Sequence, residues 1–540
     1  MPIRRHPMNI GELFDWHTEL DRQTVTYLDR PFDIAPTGGV RYNAESLATL
    51  VRDFAGRLHA AGARSGDRVA IIKENHLDIT LAAASAARIG ALPATIAALG
   101  APEAHRAMIE RLDPSVVVVS PAVLERADAA GVKLGGPHMQ FLVLGEPGQG
   151  APEGAVTLGD LAGAGEAPVH MRGPDEPMLV MHTSGTTGVP KLVVHSGNSL
   201  LGGAAKLERV RIPVLASNHN TVYASSISFA HGRTVTWMMG QFSLSPRKLV
   251  VISRHDPEGV ARVLAEHRPT TLEACPNIFQ RWESLAHRKP ELFHQVRLYV
   301  GTFDAVHPRT VRTFLEVSRR RFPLWAQSWG QSEAGPICLT VYTRRQLRRT
   351  SEAGAVTSLI GRPVPGFATV KVVDVDTGRT LPKGEPGMMM VATKGRCLDY
   401  LGESERYREK AVGKWWNTGD IGEWAENGQL KLIDREVDVI PGMSGIELES
   451  ILLDRLPDAS DVTVLGTPGE KPVPVLCMSG SGGLDPQAWQ RATADLPDLG
   501  EPRVIPWEDV PRTATWKVRR LELREKVLGS TTTIGTGRWT

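Results

Sequence analysis

The stretch Met181–Ser199, MHTSGTTGVPKLVVHSGNS, decides how the rest of the 540-residue chain is read. Met178-Leu-Val-Met181 before its centre and Leu192-Val-Val-His195 after it are apolar and strand-like. Between them, Thr183 to Lys191 is polar and rich in glycine, which predicts a hairpin with a polar tip. Gly185 and Gly188 let the backbone turn its N–H groups inward. Thr183, Ser184, Thr186 and Thr187 add hydroxyl donors, and Lys191 adds a cation. Such a tip is a cradle for a polyphosphate. A Walker loop would need Ser or Thr directly after the lysine and then a helix; here Leu192 follows and the strand pattern resumes.

Working outward, the length predicts two or more folding units. Lys and Arg number 62 against 60 Asp and Glu, so the balance of +2 gives no global pull toward nucleic acid or an anionic membrane. Arginine clusters at Arg319–Arg321 and Arg344–Arg349 read as solvated faces. The four cysteines stand singly, without metal or redox spacing, which predicts a reducing, cytoplasmic setting. The N-terminus lacks a signal-peptide core, and the alanine-rich run at 81–99 is broken by Arg88 and Pro93, so no membrane span is expected.

Residues 44–62 have helical apolar spacing and a glycine stop, and Gly66–Ile72 and Ser115–Ser120 read as buried strands. This alternation predicts an α/β domain with a largely parallel sheet. Residues 145–176 read as a surface connection before the hairpin. Ser225–His231 reads as a strand ending in a histidine. Short alternating strands around Gly361–Gly366 and Gly384–Gly387 predict a small β-rich subdomain.

The combination T-S-G-T-T-G-x-P-K resembles the phosphate loop of the adenylate-forming superfamily, which includes acyl-CoA synthetases, peptide-synthetase adenylation domains and luciferases. Further motifs follow in that superfamily's order. Tyr299–Asp304, with Gly301 and Thr302, resembles its adenine-contacting turn. Gln327–Gly335 resembles its Y-G-x-T-E segment, with Trp329 for tyrosine, Gly330 kept and Ser332 for threonine. Trp415–Asp420 ends in its T-G-D, Asp434-Arg435 resembles its hinge, and Pro511–Arg520 its P-R-T-x-x-G-K-x-x-R. The likeness spans about Tyr42 to Arg520.

The resemblance implies a large N-terminal α/β domain, residues 1–434, with two doubly wound sheets and the β-rich subdomain, and a small mobile α+β C-terminal domain, residues 435–540. It implies ATP/AMP, Mg²⁺ and coenzyme A as cofactors, and a carboxylic acid, ATP or acyl-AMP as substrates; a homodimer is left open. Glu333 would hold Mg²⁺, Asp420 the ribose hydroxyls and Arg435 the ribose or phosphate. Lys517 would bridge the carboxylate and the α-phosphate. His231 matches a pocket-closing position, although a lone histidine is as often structural. Peptide-synthetase domains place an aspartate in this region; none lies between Ser225 and Gly232, which argues against an α-amino acid.

Three departures gather near the C-terminus. Trp516 replaces the glycine before the lysine, Val437 replaces Asp or Lys after the hinge, and Ile440–Glu447 is short, with Pro441 for lysine. Within that segment Gly442, Ser444 and Gly445 are expected to touch the cofactor. The leading expectation is an acyl-CoA ligase. Its alternatives are an adenylation-impaired variant that thioesterifies preformed acyl-AMP, and a catalytically dead nucleotide-binding scaffold. Trp516 has two readings: it holds Lys517 away from the site, or it packs outside it.

Overall fold

The computed structural model describes residues 6–20, 23–146, 148, 150–183, 189–349, 356–435, 440, 444–466, 470–479, 483–513 and 515–529. They divide into two compact units. One holds Met1–Leu272, Ser332–Gly335 and Lys394–Glu409; the other holds Glu273–Gln331, Pro336–Thr393 and Lys410–Thr540. The fold is mixed α/β with large sheets, as expected.

The first unit contains an eight-stranded sheet. Its strands Pro177–His182, Leu92–Ala97, Arg68–Lys73, Val116–Val119, Gln140–Val143 and Val156–Thr157 run parallel in that order. The central ones are largely apolar, and Val116–Val119 is both apolar throughout and fully buried. This is what a sheet covered on both faces requires. Helices Ala44–Ala60, Asp78–Arg88, Pro102–Leu112 and Pro121–Ala129 make the connections. Ala44–Ala60 starts at an Asn43–Ser46 capping box and stops before Gly62, whose φ of +105° ends the helix. A second set of strands, Arg41–Tyr42, Val25–Leu28, Lys248–Val251 and Val222–Ser226, pairs beside it in sequence-distant order.

The hairpin read from the sequence is present. Pro177–His182 and Leu192–Ser196 pair antiparallel, with Met181 opposite Val193 and His182 opposite Leu192. The strand before His231 is shorter than expected. It ends at Ser226, and His231 instead caps the helix Gly232–Leu244 by accepting from the Arg233 N–H.

In the second unit, Leu298–Gly301 pairs parallel with Leu324–Gln331. The expected β-rich part is an antiparallel array of Ala368–Val373, Gly387–Thr393, Trp415–Trp424 and Leu430–Arg435. The C-terminal segment adds a sheet of Ala459–Leu465, Val473–Met478 and Arg503–Val504. Helix Gly445–Arg455 covers that sheet through Leu448, Leu452 and Leu453, packed with Val462, Val464 and Leu476. The four cysteines are all buried and unbridged. Among the described residues no helix is long and apolar enough to cross a membrane.

One ion cluster fixes the start of the first unit. The ammonium of Lys73, wholly buried, sits 2.7 Å from both Asp78 and Asp33. Asp78 also accepts from the backbone N–H groups of Asp33 and Ile34. Removing one member of such a cluster leaves a buried charge without its counter-ion. Lys73→Ala is expected to destabilise the first unit by about 3–5 kcal/mol. Thermal unfolding followed by circular dichroism checks this, and an unchanged midpoint would contradict it.

Candidate active site

The residues singled out from the sequence fall into two clusters, one in each unit. In the first unit the neck of the hairpin is closed twice. The Thr183 N–H donates to the Lys191 carbonyl at 2.9 Å, and the Lys191 N–H donates to the Thr183 hydroxyl at 3.1 Å. Ser184, Gly185, Thr186, Thr187 and Gly188 lie outside the described residues. Lys191 places its ammonium 5.0 Å from the centre of the Tyr400 ring. That geometry favours the charged form through the ring quadrupole.

Tyr400 also donates its hydroxyl to Glu333 at 2.6 Å. Burial, and after it the Glu333 charge, push the Tyr400 phenol upward, so it stays a donor. One aromatic ring therefore orients both the lysine and the carboxylate. Glu333 is 9% exposed. A single oriented carboxylate suits Mg²⁺, which is commonly held by one or two carboxylates together with substrate phosphates. Among the described residues there is no group of three or more His, Cys, Asp or Glu for an all-protein metal cage.

Ser332 is held from both sides. His231 Nε2 lies 3.1 Å from its hydroxyl, and His195 Nε2 lies 2.7 Å from its carbonyl. The carbonyl can only accept, so His195 carries its proton on Nε2. Burial lowers the His195 pKa, opposed by that hydrogen bond and by Glu333, which keeps the ring neutral. The structure thus joins His231 and Ser332, two residues singled out separately in the sequence, and adds His195 and Tyr400. Neither addition has a local signal, because Tyr400 and Glu333 are 67 residues apart in the chain.

In the second unit Asp420 is 4% exposed and accepts from two side chains. Gln331 Nε2 reaches one oxygen at 3.0 Å and Arg435 Nε the other at 3.2 Å. Gln331 also donates to the Thr418 carbonyl and accepts from the Trp416 indole, which is wholly buried. Trp416 thus packs the approach to Asp420, while Trp415 is half-buried. Gly301 ends its strand against the next one: a Cβ there would stand 2.2 Å from Gln327 Oε1. Thr302 has a buried hydroxyl oxygen with no protein partner, which suits a contact to a bound nucleotide. Trp329 and Gly330 lie half-buried on the strand Leu324–Gln331.

Lys517 joins this cluster. Burial lowers its pKa, Asp304 and Asp420 raise it, and Arg435 lowers it further, with a smaller upward effect of Cys275. Gln327 holds the Asp304 turn by donating to the Asp304 carbonyl at 2.7 Å. Trp516 turns its indole onto Trp507, with centroids 5.5 Å apart and planes 23° apart. This stack is the contact that the packing reading of Trp516 expects.

The hinge segment is only partly described: Val437, Pro441 and Gly442 lie outside the described residues. Ser444 and Gly445 are at the start of a helix. The Ser444 hydroxyl donates to the Ile433 carbonyl and accepts from Glu447 N–H, while Gly445 N–H donates to Asp434. Their hydrogen bonds go into the cap rather than toward a ligand.

The AMP-binding enzyme profile matches residues 20–401. The chain is 36% identical over 541 residues to 3-amino-2-hydroxy-4-methoxybenzoate diazotase of Streptomyces cremeus, covering 96% of each. It is 25% identical to 3-aminoavenalumate diazotase of a Streptomyces species, over 89% of this chain and 88% of that one. A benzoate CoA ligase from Burkholderia xenovorans LB400 shares the fold with a TM-score of 0.76 at 20% identity, covering 96% of this chain and 100% of that one. The chain belongs to the AMP-binding enzyme family, and so to the adenylate-forming superfamily that its motifs resemble. It is an adenylate-forming enzyme; CoA ligation is a narrower statement.

The Lys517 environment has a direct test. Its lowered pKa predicts that amine acylation, read on the Lys517 peptide by mass spectrometry across pH, reaches half its maximum below pH 10.5, the ordinary lysine value. A midpoint at or above that value would contradict the buried placement.

Proposed function

We propose that this enzyme is an ATP-dependent diazotase acting on an aromatic amine that carries a carboxylate. The observation that carries the reading is the full-length likeness to a diazotase of an aminohydroxybenzoate. The chemistry of the family suits it. Nitrite and carboxylate are both bent oxyanions with charge shared over two oxygens. A lysine that bridges a carboxylate to the α-phosphate can hold nitrite in the same way.

In the first step a nitrite oxygen attacks the α-phosphorus of ATP. The bond from that phosphorus to the bridging oxygen breaks, and pyrophosphate leaves. Lys517 holds the nucleophile in line, and Lys191 offsets the growing charge on phosphate. Asp420, oriented by Gln331 and Arg435, accepts from the ribose hydroxyls. Glu333, oriented by Tyr400, would hold Mg²⁺, whose positive charge neutralises the phosphates. In the second step the amine nitrogen attacks the nitrosyl nitrogen of the mixed anhydride. The N–O bond breaks, AMP leaves with its electron pair, and one amine proton is lost. The resulting N-nitrosamine tautomerises, takes up a proton and loses water to give the aryl diazonium ion. No thiol enters. The departures at Val437, Pro441 and Trp516 lie near the C-terminus, in a domain that this reaction does not need to present a long thiol. Residues 435–540 form the small C-terminal domain in this reading, and the reaction needs no second chain.

The test uses the purified enzyme with ATP, Mg²⁺, ¹⁵N-nitrite and 3-amino-2-hydroxybenzoate. AMP release is expected to require nitrite, and ¹⁵N is expected in an azo dye formed with an added coupling arene. Lys517→Ala is expected to slow nitrite-dependent AMP release by about 100-fold or more. AMP release with the acid and coenzyme A alone, with a thioester product, would replace the proposal by the CoA-ligase reading.

A further inference from the structure

The loop that carries Lys517 is a tight hairpin. Arg512 and Val518 form an antiparallel bridge, Thr513 N–H donates to the Lys517 carbonyl at 2.8 Å, and Lys517 N–H donates to the Thr513 hydroxyl at 3.1 Å. At its tip Trp516 has φ of +64°, a left-handed conformation that side chains rarely adopt. Its carbonyl accepts from the Asn277 side-chain amide at 2.6 Å and, at 3.3 Å, from the Arg512 guanidinium of its own hairpin, its N–H donates to the Thr513 carbonyl at 2.8 Å, and its indole stacks on Trp507. Trp507 is in turn flanked by two guanidinium groups, Arg281 at 4.3 Å and Arg512 at 4.4 Å from its ring centre. Asn277 and Arg281 belong to the same helix, Pro276–Arg281.

We propose that Asn277 and Trp507 are positioning residues for Lys517. The amide fixes the peptide that links Trp516 to Lys517, and the stack fixes the side chain of Trp516. Between them they set the direction in which Lys517 leaves the loop. The ammonium is thereby held out of water and near Asp304, Asp420, Arg435 and Cys275. The proposal rests on the assignment of Lys517 to the adenylation step, but not on the identity of the oxyanion. The bulky residue in place of glycine is thus part of the device that seats the lysine.

The experiment compares Asn277→Ala, Trp507→Ala and Trp507→Phe in the full-length enzyme, with folding checked by circular dichroism. Acetylation of Lys517 by an N-hydroxysuccinimide ester, read by peptide mass spectrometry without substrates, is expected to accelerate about tenfold in Asn277→Ala and Trp507→Ala. Its pH midpoint is expected to rise toward that of an ordinary lysine. Trp507→Phe keeps an aromatic face for the stack and is expected to restore most of the protection. In turnover, kcat for AMP release is expected to fall about tenfold in the two alanine variants, with KM for ATP within about twofold of the parent. Unchanged labelling and midpoint in folded variants would overturn the proposal. Faster labelling with unchanged kcat would leave the positioning role intact and overturn the catalytic assignment of Lys517. Should Trp507→Ala fail to fold, Asn277→Ala decides the matter, because it removes a single half-buried amide.

Discussion

The Lys517 ammonium, withdrawn from water among two carboxylates and a guanidinium, is the constraint around which the second unit is arranged. Taking Lys517 out of water disfavours its charge, and Asp304 and Asp420 offset part of that effect. Neither carboxylate serves the lysine alone. Asp420 is held by Gln331 and Arg435, and Asp304 by a turn that Gln327 ties down. The supporting groups come from the strand Leu324–Gln331, from Leu430–Arg435 and from the turn after Leu298–Gly301. A cation here is ready to receive a small oxyanion without rebuilding its surroundings, which is the condition for catalysis by preorganised charge.

The first unit solves a parallel problem with an aromatic ring. Tyr400 gives its face to Lys191 and its hydroxyl to Glu333. One rigid group thus orients both a cation and an anion. The neutral His195 beneath Ser332 adds rigidity without adding charge. Both clusters therefore rely on neutral donors, Tyr400 and Gln331, to aim charged groups.

How far the residues themselves could be read depends on distance along the chain. The hairpin, the parallel core strands and the helix at Ala44–Ala60 follow from local apolar periodicity and from glycine and asparagine at the ends. Glu333, Asp420 and Lys517 stand in motifs whose order was legible from end to end. Tyr400, Gln331 and Asn277 were not found, because their significance lies in partners between 67 and 239 residues away. His231 shows the opposite error. The segment Ser225–His231 reads as a strand ending in the histidine, yet the strand stops at Ser226 and the imidazole caps a helix. The cofactor role expected of Ser444 met the same competition, since a serine just before a helical run is first of all an N-cap. The acceptor of the activated group was least legible: thioester chemistry came with the resemblance and not with any residue of this chain.

Trp516 shows why a departure from a motif need not weaken a site. A non-glycine residue at positive φ costs on the order of 1–2 kcal/mol. A stacked aromatic pair contributes about 0.5–1.5 kcal/mol beyond its buried area. A hydrogen bond such as that from Asn277 contributes about 1 kcal/mol. The gains are of the same size as the strain, so the left-handed turn that glycine would adopt freely is kept by an indole that must be held there. The difference lies in the unfastened state. A glycine loop can occupy the same turn and leave it without losing side-chain contacts. The tryptophan loop loses its stack and its amide contact on leaving, and these are the contacts that balance its strain. Such a loop favours one seated position of its lysine. That suits the proposed reaction, whose second step brings a small amine to the activated group in place of a long thiol.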